Sequence, residues 1–224
     1  MTTTGVSIRD VPNYYPDTQE VYSVNFNGEQ IRTVVTKNTS TVDHWIRSIY
    51  NDDIDFVDPL IVGFDVEWRP NFGGYDNRVA TLQLCVGRRC LIFQIMYADK
   101  IPTSLRSFLE NESLRFVGVG IGSDAYKLGG SYNTCVLKAV DLKDLAAEKY
   151  GRKELKNLGL MKLAQVVLGC GEIEKPEHIT LSNWSQYHLT REQIQYACVD
   201  AYVSFKIGKQ LLDLFGPYPG SMLG

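Results

Sequence analysis

Three apolar runs dominate the middle of the chain: PLIVGFDVEW (59–68), RVATLQLCV (78–86) and CLIFQIM (90–96). Their length and their content of β-branched and aromatic residues predict strands, buried on both faces where the apolar run is unbroken. A Gly/Asn-rich loop, NFGGYDN (71–77), and a short GRR turn separate them. Further on, SLRSFLENE predicts a helix and RFVGVGIG (115–122) a fourth strand. SDAYKLGGSY (123–132) opens another helix, with Ser123 as its N-cap and Asp124 in the first turn. LKDLAAEKYG and LGLMKLAQVVLG are further helices, each ending near glycine.

Upstream, VYSVNF and EQIRTVVT flank Asn27-Gly28, a hairpin signal because both turn residues tolerate positive φ. TSTVDHWIRSIYND then carries Val42, Trp45, Ile46 and Ile49 at helical spacing. Thr190 and Gln193 form a capping box, so the last helix starts at about Arg191. This order predicts a mixed α/β sheet with helices on its faces and an N-terminal β-hairpin extension. The expected boundaries are an irregular segment at 1–20, one domain at 21–215 and a tail at 216–224.

The 224 residues, 44% hydrophobic and 22% charged, match an ordinary globular protein. No apolar run reaches the roughly 18–20 residues of a membrane span. The polar N-terminus lacks the apolar core of a secretory signal. Five scattered cysteines without a C-x-x-C pair argue for a reducing compartment, the cytoplasm with the nucleus as alternative. They argue equally against a disulfide framework or a structural zinc site. A net charge of −3 gives no bulk attraction for nucleic acid, so any such affinity must come from local basic groups.

Candidate chemistry lies in three places. Asp65 and Glu67 alternate along one strand and so share a face, although paired buried carboxylates repel. VGVGIGSDAYKL (117–128) delivers Asp124 to a helix start. Tyr196 and Asp200 stand four apart on one helical face. Taken singly, each has an ordinary explanation: solvated acids on an edge, a helix-capping acid, a surface pair. GIGSDA also satisfies a dinucleotide fingerprint, with Asp141 about 20 residues on. A carboxylate in that turn would oppose a pyrophosphate, and the other acids would go unexplained. Together, four carboxylates and a phenol form a site for two hard divalent cations, Mg²⁺ or Mn²⁺, as in two-metal phosphodiester cleavage.

FDVEW, GVGIGSDAYKL and YACVDAY resemble the three exonuclease motifs of the DEDDy branch of the DnaQ-like 3′→5′ exonucleases. VATLQLCV and LSNWSQYHLTREQIQYACVDAY are most similar to the Werner-syndrome-type exonuclease domain, over about 59–212. The resemblance implies an RNase H-like fold, a five-stranded sheet whose second strand is antiparallel to the rest. It implies that Asp65, Glu67, Asp124 and Asp200 bind two Mg²⁺ or Mn²⁺ ions and that Tyr196 orients the attacking water. Tyr126 matches an aromatic position beside the substrate path, and its alternative is core packing. Trp68 could line the same cleft or pack in the core. Lys127, Arg78 and Arg191 are candidate phosphate contacts. His188 stands where relatives commonly carry proline.

The size, acidity and lack of helicase or basic additions resemble small plant RISC-interacting clearing exoribonucleases. That implies single-stranded RNA as substrate, association with Argonaute and a homohexamer. The alternatives are a Werner-type DNA exonuclease acting in repair and a nuclease-like scaffold that binds RNA or protein without cutting.

Overall fold

The computed structural model describes residues 5–51, 60–70 and 77–213. The expected loop at 71–77, but for Asn77, and the tail at 216–224 lie outside the described residues. One sheet of eight strands runs through the chain in the order β1-β2-β3-β6-β5-β4-β7-β8. These are β1 (Val6–Asp10), β2 (Glu20–Phe26), β3 (Glu29–Thr36), β4 (Leu60–Glu67), β5 (Thr81–Val86), β6 (Arg89–Phe93), β7 (Leu114–Gly118) and β8 (Ala139–Asp141). The helices are α1 (Thr39–Asn51), α2 (Thr103–Leu109), α3 (Ile121–Tyr132), α4 (Leu142–Tyr150), α5 (Leu160–Leu168), α6 (Glu177–Thr180) and α7 (Arg191–Asp213).

The five strands expected of the RNase H-like core are β6, β5, β4, β7 and β8. The second of them in sequence, β5, is antiparallel to both neighbours, and β4, β7 and β8 are parallel. The hairpin at Asn27-Gly28 forms with φ of 51° and 87°. It is no detached appendage, because β3 continues the same sheet by pairing parallel with β6.

Several expectations need correction. The segment expected to be irregular contains β1, whose Val6 and Ile8 pack against the core while it pairs antiparallel with β2. Five alternating residues among Thr, Pro, Asn and Asp are too short a run to stand out by periodicity. The strand expected over 90–96 stops at Phe93: Gln94 turns the chain, its amide donating to Thr36 O at 2.8 Å, and Ile95–Tyr97 form a 3-10 turn. The strand expected to 122 stops at Gly118, because Gly120 adopts a left-handed φ of 76°. Helix α3 therefore starts at Ile121, and Ser123 lies inside its first turn rather than capping it. Asp124 keeps its place in that turn.

Successive residues of β4 point to opposite faces of the sheet. Leu60, Val62, Phe64 and Val66 belong to an apolar cluster with α1, α2 and α3. Ile61 belongs to the opposite cluster, shared with α4, α5 and α7. Gly63, Asp65 and Glu67 have the same parity as Ile61 and thus face α7. The helix crosses so near that a Cβ built on Gly63 would stand 2.0 Å from Ala201 O and 2.8 Å from Phe205 N. Gly208 gives the helix a second point of contact, where a Cβ would meet Val117 at 2.7 Å.

The N-terminus of α7 is set by the capping box: the Gln193 amide donates to Thr190 Oγ1 at 3.1 Å and the Thr190 amide to Gln193 Oε1 at 2.9 Å. Cap and glycine seam together place Asp200 opposite Asp65. A Gly63→Ala protein should lose at least about 2 kcal/mol of stability, because the methyl meets backbone that cannot yield. Thermal unfolding would show this as a fall in Tm of roughly 5 °C or more.

Candidate active site

Asp65 and Glu67 come from β4 and Asp200 from the third turn of α7. One carboxylate oxygen from each lies within 4.8 Å of the other two. The side chain of Asp200 is 4% exposed. Directly across the ladder, Gln83 faces Asp65 and Thr81 faces Glu67, and Gln83 Nε2 donates to Thr81 Oγ1 at 2.6 Å. Asp65 Oδ2, Asp200 Oδ1 and Gln83 Oε1 are buried without a hydrogen-bond partner. Orphaned oxygens of this kind are costly in a folded protein unless a cation meets them.

The electrostatics agree. Burial lifts the Asp65 carboxyl well above the usual range, and repulsion from Asp200 and Asp124 lifts it further. Glu67 is raised for the same reasons, burial first and then Asp65 and Asp200. Burial also raises Asp200, against the pull of a lysine, Lys175, whose Nζ sits 2.7 Å from Asp200 Oδ2.

Asp124 is the acid that the fold does not bring into the tight group. It is near enough to act on Asp65 and Glu67, and burial with repulsion from Asp141 pushes it up to about 7. Asp141 itself caps α4 by accepting from the Lys143 amide at 3.0 Å, and it also accepts from the Gly120 amide at 3.0 Å. Those bonds give both its oxygens structural work, so the dinucleotide reading of GIGSDA has no support.

Tyr196 lies one turn before Asp200, 8% exposed, with its hydroxyl 3.1 Å from Thr180 Oγ1 and its ring against Trp184. A cleft of about 290 Å³ opens beside it, lined by Lys175, His178, Glu192, Gln195, Tyr196 and Asp200 among others. Tyr126 is 86% exposed on α3, which rules out core packing. Trp68 is half-buried against the core, and Lys127 Nζ lies 4.8 Å from the centre of its ring.

The other two cations considered for phosphate are engaged: Arg78 donates to Ser131 O at 2.6 Å and lies over Tyr132, and Arg191 pairs with Asp10. His188 stands exposed beside Tyr187 and Glu20, among residues that bear none of the acids. All five cysteines are free; Cys85, Cys90 and Cys198 are buried, and burial raises each thiol, so they are unreactive core residues.

Two groups were missed in the sequence. Lys175 lies in GEIEKPEH, a charged stretch without periodicity, and nothing local distinguishes it. Gln83 did carry a signal, a lone amide inside the apolar strand TLQLCV.

The chain belongs to the 3′-5′ exonuclease family, whose model matches residues 33–215. It is 40% identical over 163 residues to a 3′-5′ exonuclease of Arabidopsis thaliana, a match covering 71% of this chain and 55% of that protein. It is 37% identical over 171 residues to the bifunctional 3′-5′ exonuclease/ATP-dependent helicase WRN of Mus musculus, covering 75% of this chain and 12% of that one. The chain thus spans about half the length of the first relative and a small part of the second. Among solved structures, Escherichia coli RNase D shares the fold with a TM-score of 0.66 at 14% identity, over 80% of this chain and 44% of that chain. Among the described residues, no helix is long and apolar enough to cross a membrane.

The raised carboxyls make a stability prediction for the metal-free protein. A carboxyl whose pKa is higher folded than unfolded holds its proton more tightly in the folded state, so it stabilises at low pH. That contribution is lost as pH rises through the folded pKa. In chelator, Tm should therefore fall between about pH 5 and about pH 8, and saturating Mn²⁺ should reduce the fall. A metal-free Tm that is flat or rises over this window would contradict the electrostatics described.

Proposed function

We propose that this protein is a metal-dependent 3′→5′ exonuclease that releases nucleoside 5′-monophosphates from single-stranded 3′ ends, with RNA preferred to DNA. The observation that carries the reading is the group of three carboxylates with two buried, unpartnered oxygens, Asp65 Oδ2 and Asp200 Oδ1. An all-oxygen donor set of this charge fits Mg²⁺ or Mn²⁺ and not zinc. Two such ions would supply an activated water and charge stabilisation for the leaving 3′ oxygen.

The chain's own groups supply the rest. Asp65, Glu67 and Asp200 would hold the ions, and Asp124, set apart from the three, would contribute through water. Tyr196, fixed between Thr180, Trp184 and the start of α7, orients the attacking water with its phenol. Tyr126 stacks on a terminal base, which suits an unpaired end. Trp68 lines the path, and the ammonium of Lys127 above it neutralises a backbone phosphate. These local groups provide the affinity that the net charge does not.

RNA clearing at an Argonaute complex, assembly as a homohexamer and a cytoplasmic location belong to the same reading and rest on the resemblance to the small plant exoribonucleases. A second reading, a DNA exonuclease acting in repair, is favoured by the 37% identity to the mouse exonuclease/helicase.

Matched RNA and DNA strands, labelled at the 5′ end and digested in parallel with Mg²⁺ or Mn²⁺, decide between them. A descending ladder on RNA is expected, and a preference for recessed DNA 3′ ends would move the reading to repair. Asp65→Ala and Asp200→Ala should each lose at least about 100-fold in rate, since removing a ligand exceeds the 10–100-fold effect of losing an outer partner. Tyr196→Phe should lose about 100-fold in kcat. Wild type that binds the strands yet leaves them intact with both metals would make the protein a non-catalytic binder.

Loss of stacking in Tyr126→Ala should cost about 1–3 kcal/mol of substrate binding, seen as a raised KM with kcat retained.

A further inference from the structure

Lys175 enters the acid group from outside every motif. Its Nζ donates to Asp200 Oδ2 at 2.7 Å and lies 4.8 Å from the centre of the Tyr196 ring. The partner it chooses is 4% exposed, while Lys175 itself is 38% exposed at the wall of the cleft. Asp200 therefore has one oxygen committed to an ammonium and the other, Oδ1, buried and unpartnered.

We infer that Lys175 is a positioning residue of this site: it locks the Asp200 carboxylate so that Oδ1 alone is offered to a cation, and it holds the Tyr196 ring in place. The inference rests on the exonuclease reading above. A carboxylate free to rotate could present either oxygen or both, whereas one already bonded on Oδ2 is restricted to a single ligand atom. Outer partners that fix a ligand in this way tune metal sites generally. A lysine suits the task because its single ammonium reaches the carboxylate and the aromatic face together.

The electrostatics support the geometry. Lys175 is a cation that acts on Asp65, Glu67, Asp124 and Asp200 alike, in each case favouring the charged form. Burial works against its own charge, and Asp200 with Tyr196 outweighs burial, so the ammonium stays protonated.

Two other roles make different predictions. A lysine that merely ties down the segment around residue 175 would affect stability equally with and without metal. A lysine that only stands in for an absent cation would leave kcat unchanged or raised once metal is saturating.

The test compares wild type with Lys175→Met and Lys175→Arg, measuring kcat and KM on a 5′-labelled strand at saturating Mn²⁺. Melting curves with Mn²⁺ and with chelator provide a readout independent of activity. Lys175→Met should lower kcat about 10–100-fold while the substrate KM stays within about twofold. Its Mn²⁺-induced rise in Tm should exceed that of wild type, because metal then relieves an Asp200 that has lost its internal cation. Lys175→Arg, which keeps a charged donor, should recover most of the kcat.

A kcat of Lys175→Met within about twofold of wild type, or a change confined to KM, would overturn the inference. So would equal Mn²⁺ shifts in the two proteins. Should Lys175→Met not fold, Lys175→Gln against Lys175→Arg carries the same comparison, with kcat falling only where the charge is lost. Wild type inactive on every strand would sink the exonuclease reading instead, and the Mn²⁺ shifts would still judge Lys175.

Discussion

The mutual repulsion of three carboxylates within 4.8 Å of one another is the constraint around which this molecule is organised. No chain would hold Asp65, Glu67 and Asp200 there for stability, since each is raised toward its neutral form by burial. The strain is sustained by a large apolar framework: β4 is central, with an apolar cluster on each face of the sheet. A locally unfavourable arrangement kept by an otherwise consistent fold is the usual mark of a working site.

Distance control falls to small residues rather than to polar ones. Gly63 lies two positions before Asp65 and Ala201 one after Asp200, and helix and strand meet where their side chains vanish. The acids thus gain proximity from backbone contact, the stiffest element available, and not from long flexible side chains. The two neighbouring charged groups, Asp124 and Lys175, come from the first turn of α3, just after the left-handed Gly120, and from a segment without helix or strand. Lys175 nonetheless reaches the buried Asp200 directly, at 2.7 Å.

What could be read in the chain follows from periodicity. The alternation along β4 put Asp65 and Glu67 on one face, the hairpin followed from Asn27-Gly28, and Thr190 with Gln193 set the start of α7 within a residue. The start of α3 was misplaced because a left-handed Gly120 ends the strand early, an event that serine-capping rules do not register. Strand β1 was hidden because its pairing with β2 is a tertiary fact and its five residues are a weak local signal. Lys175 could not be found at all: its meaning comes from a contact with Asp200 across 25 residues of chain. Arg191 shows the converse, a cation in a suggestive position whose partner in the fold, Asp10, periodicity does not reveal.

That last pairing has a wider consequence. Asp10 ends β1 and Arg191 opens α7, while Val6, at the other end of β1, lines the cleft shared with Tyr196 and Asp200. Strand β1 is therefore both a wall of this cleft and a brace on the helix that carries Tyr196 and Asp200. A tag or partner attached near residue 5 would sit beside the cleft that holds Tyr196 and Asp200, however far it lies in sequence from any acid.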